Sequence, residues 1–220
     1  MKKYAVIIFA AICAALFVFT GCTGTNEYTE KVYLSDGAEV EEIEIDVFDR
    51  ELGIYESNDG QIRIEFFDGE KERFEIGVSD KKLSVKLTEN KEWTDYIGFN
   101  KAPGEYRKVR ISLPSEMIAK LSAATTNENI TITNLSFAES VNLQSNGGSI
   151  ICDNLGAGKE ITLAVKNGDI TGSISGTMNE FSITCTIKKG ESNLPALKEG
   201  GDKSLTAECN NGDINIEFAK

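Results

Sequence analysis

The chain has 220 residues, 40% of them hydrophobic and 26% charged, which suits one domain or two small ones and lies well outside the composition of disordered chains. A net charge of −12 with no basic cluster makes nucleic acid a poor partner. Histidine is absent, which removes Ser-His-Asp and Cys-His catalysis and every His-ligated metal site.

Met1-Lys2-Lys3 is a short basic segment, and no charge follows from Tyr4 to Asn26. The apolar run from Ala5 ends in Phe19-Thr20-Gly21-Cys22, which puts small residues where a signal peptidase must fit the chain. The segment resembles a bacterial lipoprotein signal, although Phe19 stands where Leu, Val or Ile is usual. The resemblance implies removal of residues 1–21, lipidation of Cys22 and attachment to a membrane through that lipid. An uncleaved signal anchor is the alternative, since ~20 apolar residues can span a bilayer. Either reading leaves the remaining chain outside the cytoplasm. Cleavage before Cys22 would take the net charge to −14 (21 basic, 35 acidic), so anionic headgroups would repel the surface and the lipid must do the holding. Residues 22–36 are mostly polar and read as a tether.

From residue 37 the pattern is alternation with period two. Ile43-Glu44-Ile45, Ile62-Arg63-Ile64, Phe74-Glu75-Ile76, Leu83-Ser84-Val85 and Val109-Arg110-Ile111 each offer one apolar and one polar face. Asp59-Gly60 and Asp68-Gly69 resemble hairpin turns, and Pro114 stops the last of these runs. Residues 37–114 are therefore expected to form irregular N-terminal strands that cap the remainder of the domain.

Residues 115–218 hold five repeats of about 20 residues. Glycines at 148, 168, 190 and 212 recur, with Glu128 in the equivalent place one interval earlier. Seven residues before each stand Leu121, Val141, Ile161, Ile183 and Leu205, and two after stand Ile130, Ile150, Ile170, Ser192 and Ile214. Such columns predict two short strands per repeat, joined at a glycine turn, with the column residues facing inward. One unit cannot cover its own apolar face, whereas stacked copies bury a continuous core. The predicted fold is all-β: a short right-handed single-stranded β-solenoid, expected to climb one axis rung by rung. An antiparallel β-sandwich is the alternative. Cys152, Cys185 and Cys209 fall at inward positions and read as small buried residues; a Cys185–Cys209 bridge and a three-thiolate metal site are the other possibilities.

Taken together, Glu42-Ile43-Glu44-Ile45, Gln61-Ile62-Arg63-Ile64, Lys82-Leu83-Ser84-Val85, Trp93, Val109–Pro114 and the Asn-Gly-Asp-Ile turns at 167–170 and 211–214 resemble the bacterial "putative adhesin" domain of unknown function. Gly147-Gly148-Ser149 and Lys189-Gly190-Glu191 depart from the turn pattern. The resemblance covers about residues 37–218 and implies an elongated β-solenoid at the cell envelope. It brings no catalytic residue, because that family has no settled activity.

Three features could carry chemistry. Asp169, Glu191 and Asp213 form an acidic row just after the turns, where calcium is conceivable but Asp and Asn are also ordinary turn residues. Trp93, Tyr96 and Phe99 form a candidate contact patch, unless they only close one end of the core. Carboxylates are plentiful enough for a polysaccharide-processing β-helix enzyme, but the repeats are nearly bare of aromatics. The reading favoured is a non-enzymatic envelope lipoprotein without cofactor or metal. It would present a solenoid for binding, adhesion or envelope-stress sensing, with an unknown envelope protein or glycan as partner. A polysaccharide-processing enzyme and a purely structural surface spacer are the competing readings.

Overall fold

The computed structural model describes the backbone of residues 15–18 and the whole of residues 28–89, 102–115 and 117–219. Cys22 and the patch formed by Trp93, Tyr96 and Phe99 lie outside the described residues. Nineteen strands account for most of the described chain. The N-terminal ones are β1 (Ala15–Val18), β2 (Tyr28–Asp36), β3 (Glu42–Asp46), β4 (Glu51–Ser57), β5 (Gln61–Gly69), β6 (Glu72–Ser79), β7 (Lys82–Glu89) and β8 (Lys108–Pro114). The repeats supply β9 (Lys120–Thr125), β10 (Ile130–Thr133), β11 (Ser136–Phe137), β12 (Ser140–Ser145), β13 (Ile150–Ala157), β14 (Glu160–Asn167) and β15 (Ile170–Ser175). The last are β16 (Phe181–Lys189), β17 (Leu197–Lys198), β18 (Lys203–Asn211) and β19 (Ile214–Ala219).

These strands build two facing sheets. The first runs β1-β2-β5-β8-β4-β10-β13-β15-β19, with β11 beside β13, and the second runs β17-β16-β18-β14-β12-β9-β3-β7-β6. Each rung puts one strand in each sheet, and like residues stack. Leu121, Val141, Ile161 and Leu205 are in register in the second sheet, as are Ile130, Ile150, Ile170 and Ile214 in the first. All eight are fully or almost fully buried. Alternation produces this result directly, because a period of two sends every other side chain to the space between the sheets.

The rungs do not follow chain order. The fifth repeat, β18–β19, is inserted between the third, β14–β15, and the fourth, β16. Ile183 therefore stacks on Leu205 and is separated by it from Ile161. The expectation of a strictly sequential climb is corrected accordingly. The fourth repeat is the terminal one because its second strand is reduced to a single bridge, Ser192 to Ile214. Its Ser192-Asn193-Leu194-Pro195 lacks the isoleucine that opens each of the other second strands of the repeats (Ile130, Ile150, Ile170, Ile214), and Pro195 has no N–H to donate.

The same inversion occurs at the other end. β3–β4 packs directly under the repeats, with Ile43 opposite Leu121 and Leu52 opposite Ile130, while β7–β8 lies outside it. These two N-terminal rungs are parallel and in register with the repeats, so they are regular where irregular strands were expected. Neither Asp-Gly pair makes a hairpin: Asp59-Gly60 joins β4 to β5, which are separated by β8, and Asp68-Gly69 carries the chain from one sheet to the other. The hairpin joins β6 to β7 through Asp80 and Lys81, at φ 51° and 62°, the left-handed pair that such a two-residue turn requires.

Residues 28–36, expected to be tether, form β2, paired along its whole length with β5. Its inward side chains (Lys31, Tyr33, Ser35) face the partners Phe66, Ile64 and Ile62 across the ladder but are themselves partly polar, which hides the strand from a hydrophobic pattern.

Candidate functional site: a charged aromatic groove on the first sheet

The residues of the acidic row come together as a structural ladder. The backbone N–H of Ser149 donates to Asn129 Oδ1 at 2.8 Å, that of Asp169 to Ser149 Oγ at 3.0 Å, that of Asp213 to Asp169 Oδ1 at 2.9 Å, and that of Glu191 to Asp213 Oδ1 at 2.8 Å. Each turn thus satisfies a backbone donor of the next rung, which is why short acceptors (Asn, Ser, Asp) occupy the column, and why the end position tolerates Glu191. The adjoining glycines are imposed by contact between rungs: a Cβ on Gly212 would lie 2.1 Å from the Gly168 carbonyl oxygen, and φ there is +141°. Among the described residues no group of three or more Cys, Asp or Glu is placed to hold a metal ion.

The three cysteines are free and buried. Cys152 lies in the first sheet. Cys185 and Cys209 sit on adjacent strands but out of direct register, opposite Ala207 and Ile187. Burial pushes the Cys152 thiol up to about 12, and burial followed by the Asp169 charge raises Cys209. The folded protein should therefore leave Cys152 unmodified by iodoacetamide at pH 8, with labelling appearing only on denaturation. Mass spectrometry before and after adding denaturant tests this, and rapid labelling of Cys152 in native buffer would contradict its burial.

The outer face of the first sheet carries the most chemically varied surface. β8 lies between β5 and β4, so Arg110 stands opposite Glu65 on one side and Gly53 on the other, while Lys108 stands opposite Glu51. Gly53 has no side chain, and the Tyr55 ring folds back over it: a Cβ there would be 2.7 Å from the Tyr55 hydroxyl. The Arg110 guanidinium lies 4.7 Å from the centre of that ring, and its Nε is 3.8 Å from Glu65 Oε2. Phe67 borders the same space and meets Tyr106 edge to face at 5.3 Å, and Tyr106 stacks on Tyr28 at 4.9 Å. Glu30, Glu51, Tyr55, Glu65, Phe67 and Arg110, with Lys108, line an open groove of about 340 Å³.

A flat ring, a guanidinium and three carboxylates can offer one stacking surface and several charge-assisted hydrogen bonds to a polar ligand. Sequence reasoning missed the groove. Alternation marks Glu51, Gly53 and Tyr55 as one face of a strand and Lys108 and Arg110 as one face of another, but their adjacency depends on β8 packing beside β4.

A second space of about 380 Å³ opens over Gly172, lined by Asp153, Thr171, Ser173, Asn215 and Glu217. It has no aromatic side chain.

Stacked, in-register rungs with side-chain ladders at their turns define a β-solenoid-like repeat protein. The chain belongs to the Toastrack DUF4097 family, whose profile matches residues 40–220. A solved structure from Clostridium sporogenes, described as a "putative cell adhesion protein", shares the fold with a TM-score of 0.63 at 13% identity, covering 87% of this chain and all of that one. A "putative adhesin" from Bacteroides fragilis aligns over 90% of this chain and all of its own, at 15% identity and a TM-score of 0.36. No functionally curated protein matches the sequence.

Proposed function

We propose that the protein is a non-enzymatic cell-envelope lipoprotein, held through a lipid on Cys22, whose right-handed solenoid presents the Tyr55–Arg110 groove to an envelope glycan or protein. The observation that carries the reading is the groove itself, where aromatic and charged side chains converge on an outer face that carries Thr131, Thr133, Thr171 and Asn215 further along. The adhesin-like fold family supports it, as does the lipoprotein-like sequence at residues 19–22. Among the described residues no helix is long and apolar enough to cross a membrane.

The test is a glycan and envelope-protein array probed with the soluble chain Thr23–Lys220. Tyr55→Ala and Arg110→Ala should each weaken whatever binds by roughly 10-fold or more, as loss of a stacking or charged anchor does. Binding that survives both changes would move the site elsewhere. Lipid labelling of the wild type beside Cys22→Ser tests the anchor. The enzyme reading draws on the same carboxylates, Glu30, Glu51 and Glu65, beside Lys108 and Arg110. Cleavage of a bound oligosaccharide, abolished by Glu51→Gln or Glu65→Gln, would favour it over simple binding.

A further inference from the structure

We propose that the mature chain forms a two-fold dimer by antiparallel pairing of β2 with β2 of a second copy, joining the two stacks end to end. The inference rests on the removal of residues 1–21 proposed above.

The two ends of the stack are finished differently. At the C-terminal end β17 pairs onto β16, Ser192 bridges to Ile214, and Leu194 is buried. There the Asn193 side chain also stands in for a neighbouring strand. Its Nδ2 donates to the Ile216 carbonyl at 2.9 Å and its Oδ1 accepts from the Ile216 N–H at 3.0 Å. The N-terminal end has no such device among the described residues. Among the described residues the first sheet is covered there by β1 alone, which runs antiparallel to β2 from Lys31 to Leu34, and the second sheet ends on β6.

β1 lies inside the segment that cleavage removes. Its loss leaves β2, nine residues long, as an edge without a partner strand on that side among the described residues. An unblocked edge of this length is a template for another strand.

Charge argues for a second copy as the occupant. Antiparallel self-pairing centred on Val32 sets Val32 opposite Val32, Lys31 opposite Tyr33, Glu30 opposite Leu34 and Tyr28 opposite Asp36, so no like charges meet. Glu30 also lines the groove, so the dimer brings two grooves to either side of the two-fold axis and makes binding bivalent.

Val32 stands opposite Glu65, on the face turned away from Ile64 and Phe66, but is only 6% exposed, so circular dichroism of each Val32 variant must first show the native fold. Sedimentation of the soluble chain Thr23–Lys220 should show a concentration-dependent dimer. Val32→Glu and Val32→Lys should each weaken it by roughly 10-fold, because like charges face each other at the axis, and an equimolar mixture of the two should restore a mixed dimer. That recovery requires both variants to be folded. A wild-type chain that sediments as a monomer at every concentration, a dimer indifferent to both variants, or a mixture that stays monomeric would each overturn the proposal. So would a monomer that pairs only with a strand of another protein. The outcome is separable from that of the anchor: a monomeric soluble chain with a lipid-labelled Cys22 removes the dimer alone, and a dimer with an unlabelled Cys22 removes the cleavage alone.

Discussion

Removing residues 202–220 should abolish the folded state. In a solenoid that climbed in chain order, this cut would trim one terminal rung and leave a shorter stack. Here β18 lies between β14 and β16, and β19 covers β15. The deletion therefore takes an interior slab containing Leu205, Ala207, Cys209, Ile214 and Ile216, each no more than 1% exposed. Ile161, Leu163 and Ile170 lose their neighbours on one side, and Ile183 and Cys185 are left on a strand with no parallel partner. At ~1.5–3 kcal/mol for each large buried side chain, the loss is on the order of the ~5–15 kcal/mol that holds an ordinary domain together. Urea unfolding followed by circular dichroism should show no cooperative transition. A native-like transition in the truncated chain would refute the inverted order of the last two rungs.

Arg50→Ala should cost ~3–5 kcal/mol, a large effect for a single substitution. Arg50 is 1% exposed and follows β3 on the way to β4. Its Nη2 donates to Glu72 Oε2 at 2.5 Å, its Nη1 to the Asp49 carbonyl at 3.1 Å, and its guanidinium lies 5.9 Å from the centre of the Phe74 ring. The pair fastens the edge hairpin β6–β7 to the inserted rung β3–β4. Truncating Arg50 leaves the buried Glu72 carboxylate without its guanidinium, and desolvation then makes that charge expensive. Replacing both partners by apolar residues of similar volume, Arg50→Met with Glu72→Leu, should bring stability back close to the wild type or above it, because both desolvation costs vanish together. Urea midpoints of the single and double variants test this. A single variant within about 1 kcal/mol of the wild type would show that the pair is not a structural fastener.

Much of the architecture was legible in the sequence. Alternation such as Ile62-Arg63-Ile64 assigns strands and faces, because only extended backbone sends side chains to opposite sides with period two. The column at Leu121, Val141 and Ile161, spaced by intervals of 20 residues, specifies which residues stack, since like shapes in register bury the most apolar surface. The short acceptors at 129, 149, 169 and 213 likewise mark a line of turns.

Other features depend on contacts that local pattern does not encode. β2 was hidden because Lys31 and Ser35 stand at inward positions and break the apolar alternation that marks the other strands. Arg50 and Glu72 look like solvated charges until the fold puts them face to face. The groove exists only because β8 packs against β4, across more than fifty residues of chain.

Fold class, strand faces and stacking register were therefore determined by the sequence alone, since each follows from backbone geometry and repeat spacing. The order of the rungs, the closure of one end and the meeting of Tyr55 with Arg110 were decided only in the tertiary structure. Any aliphatic rung can stack on any other, so neighbours are chosen by the packing of the whole assembly.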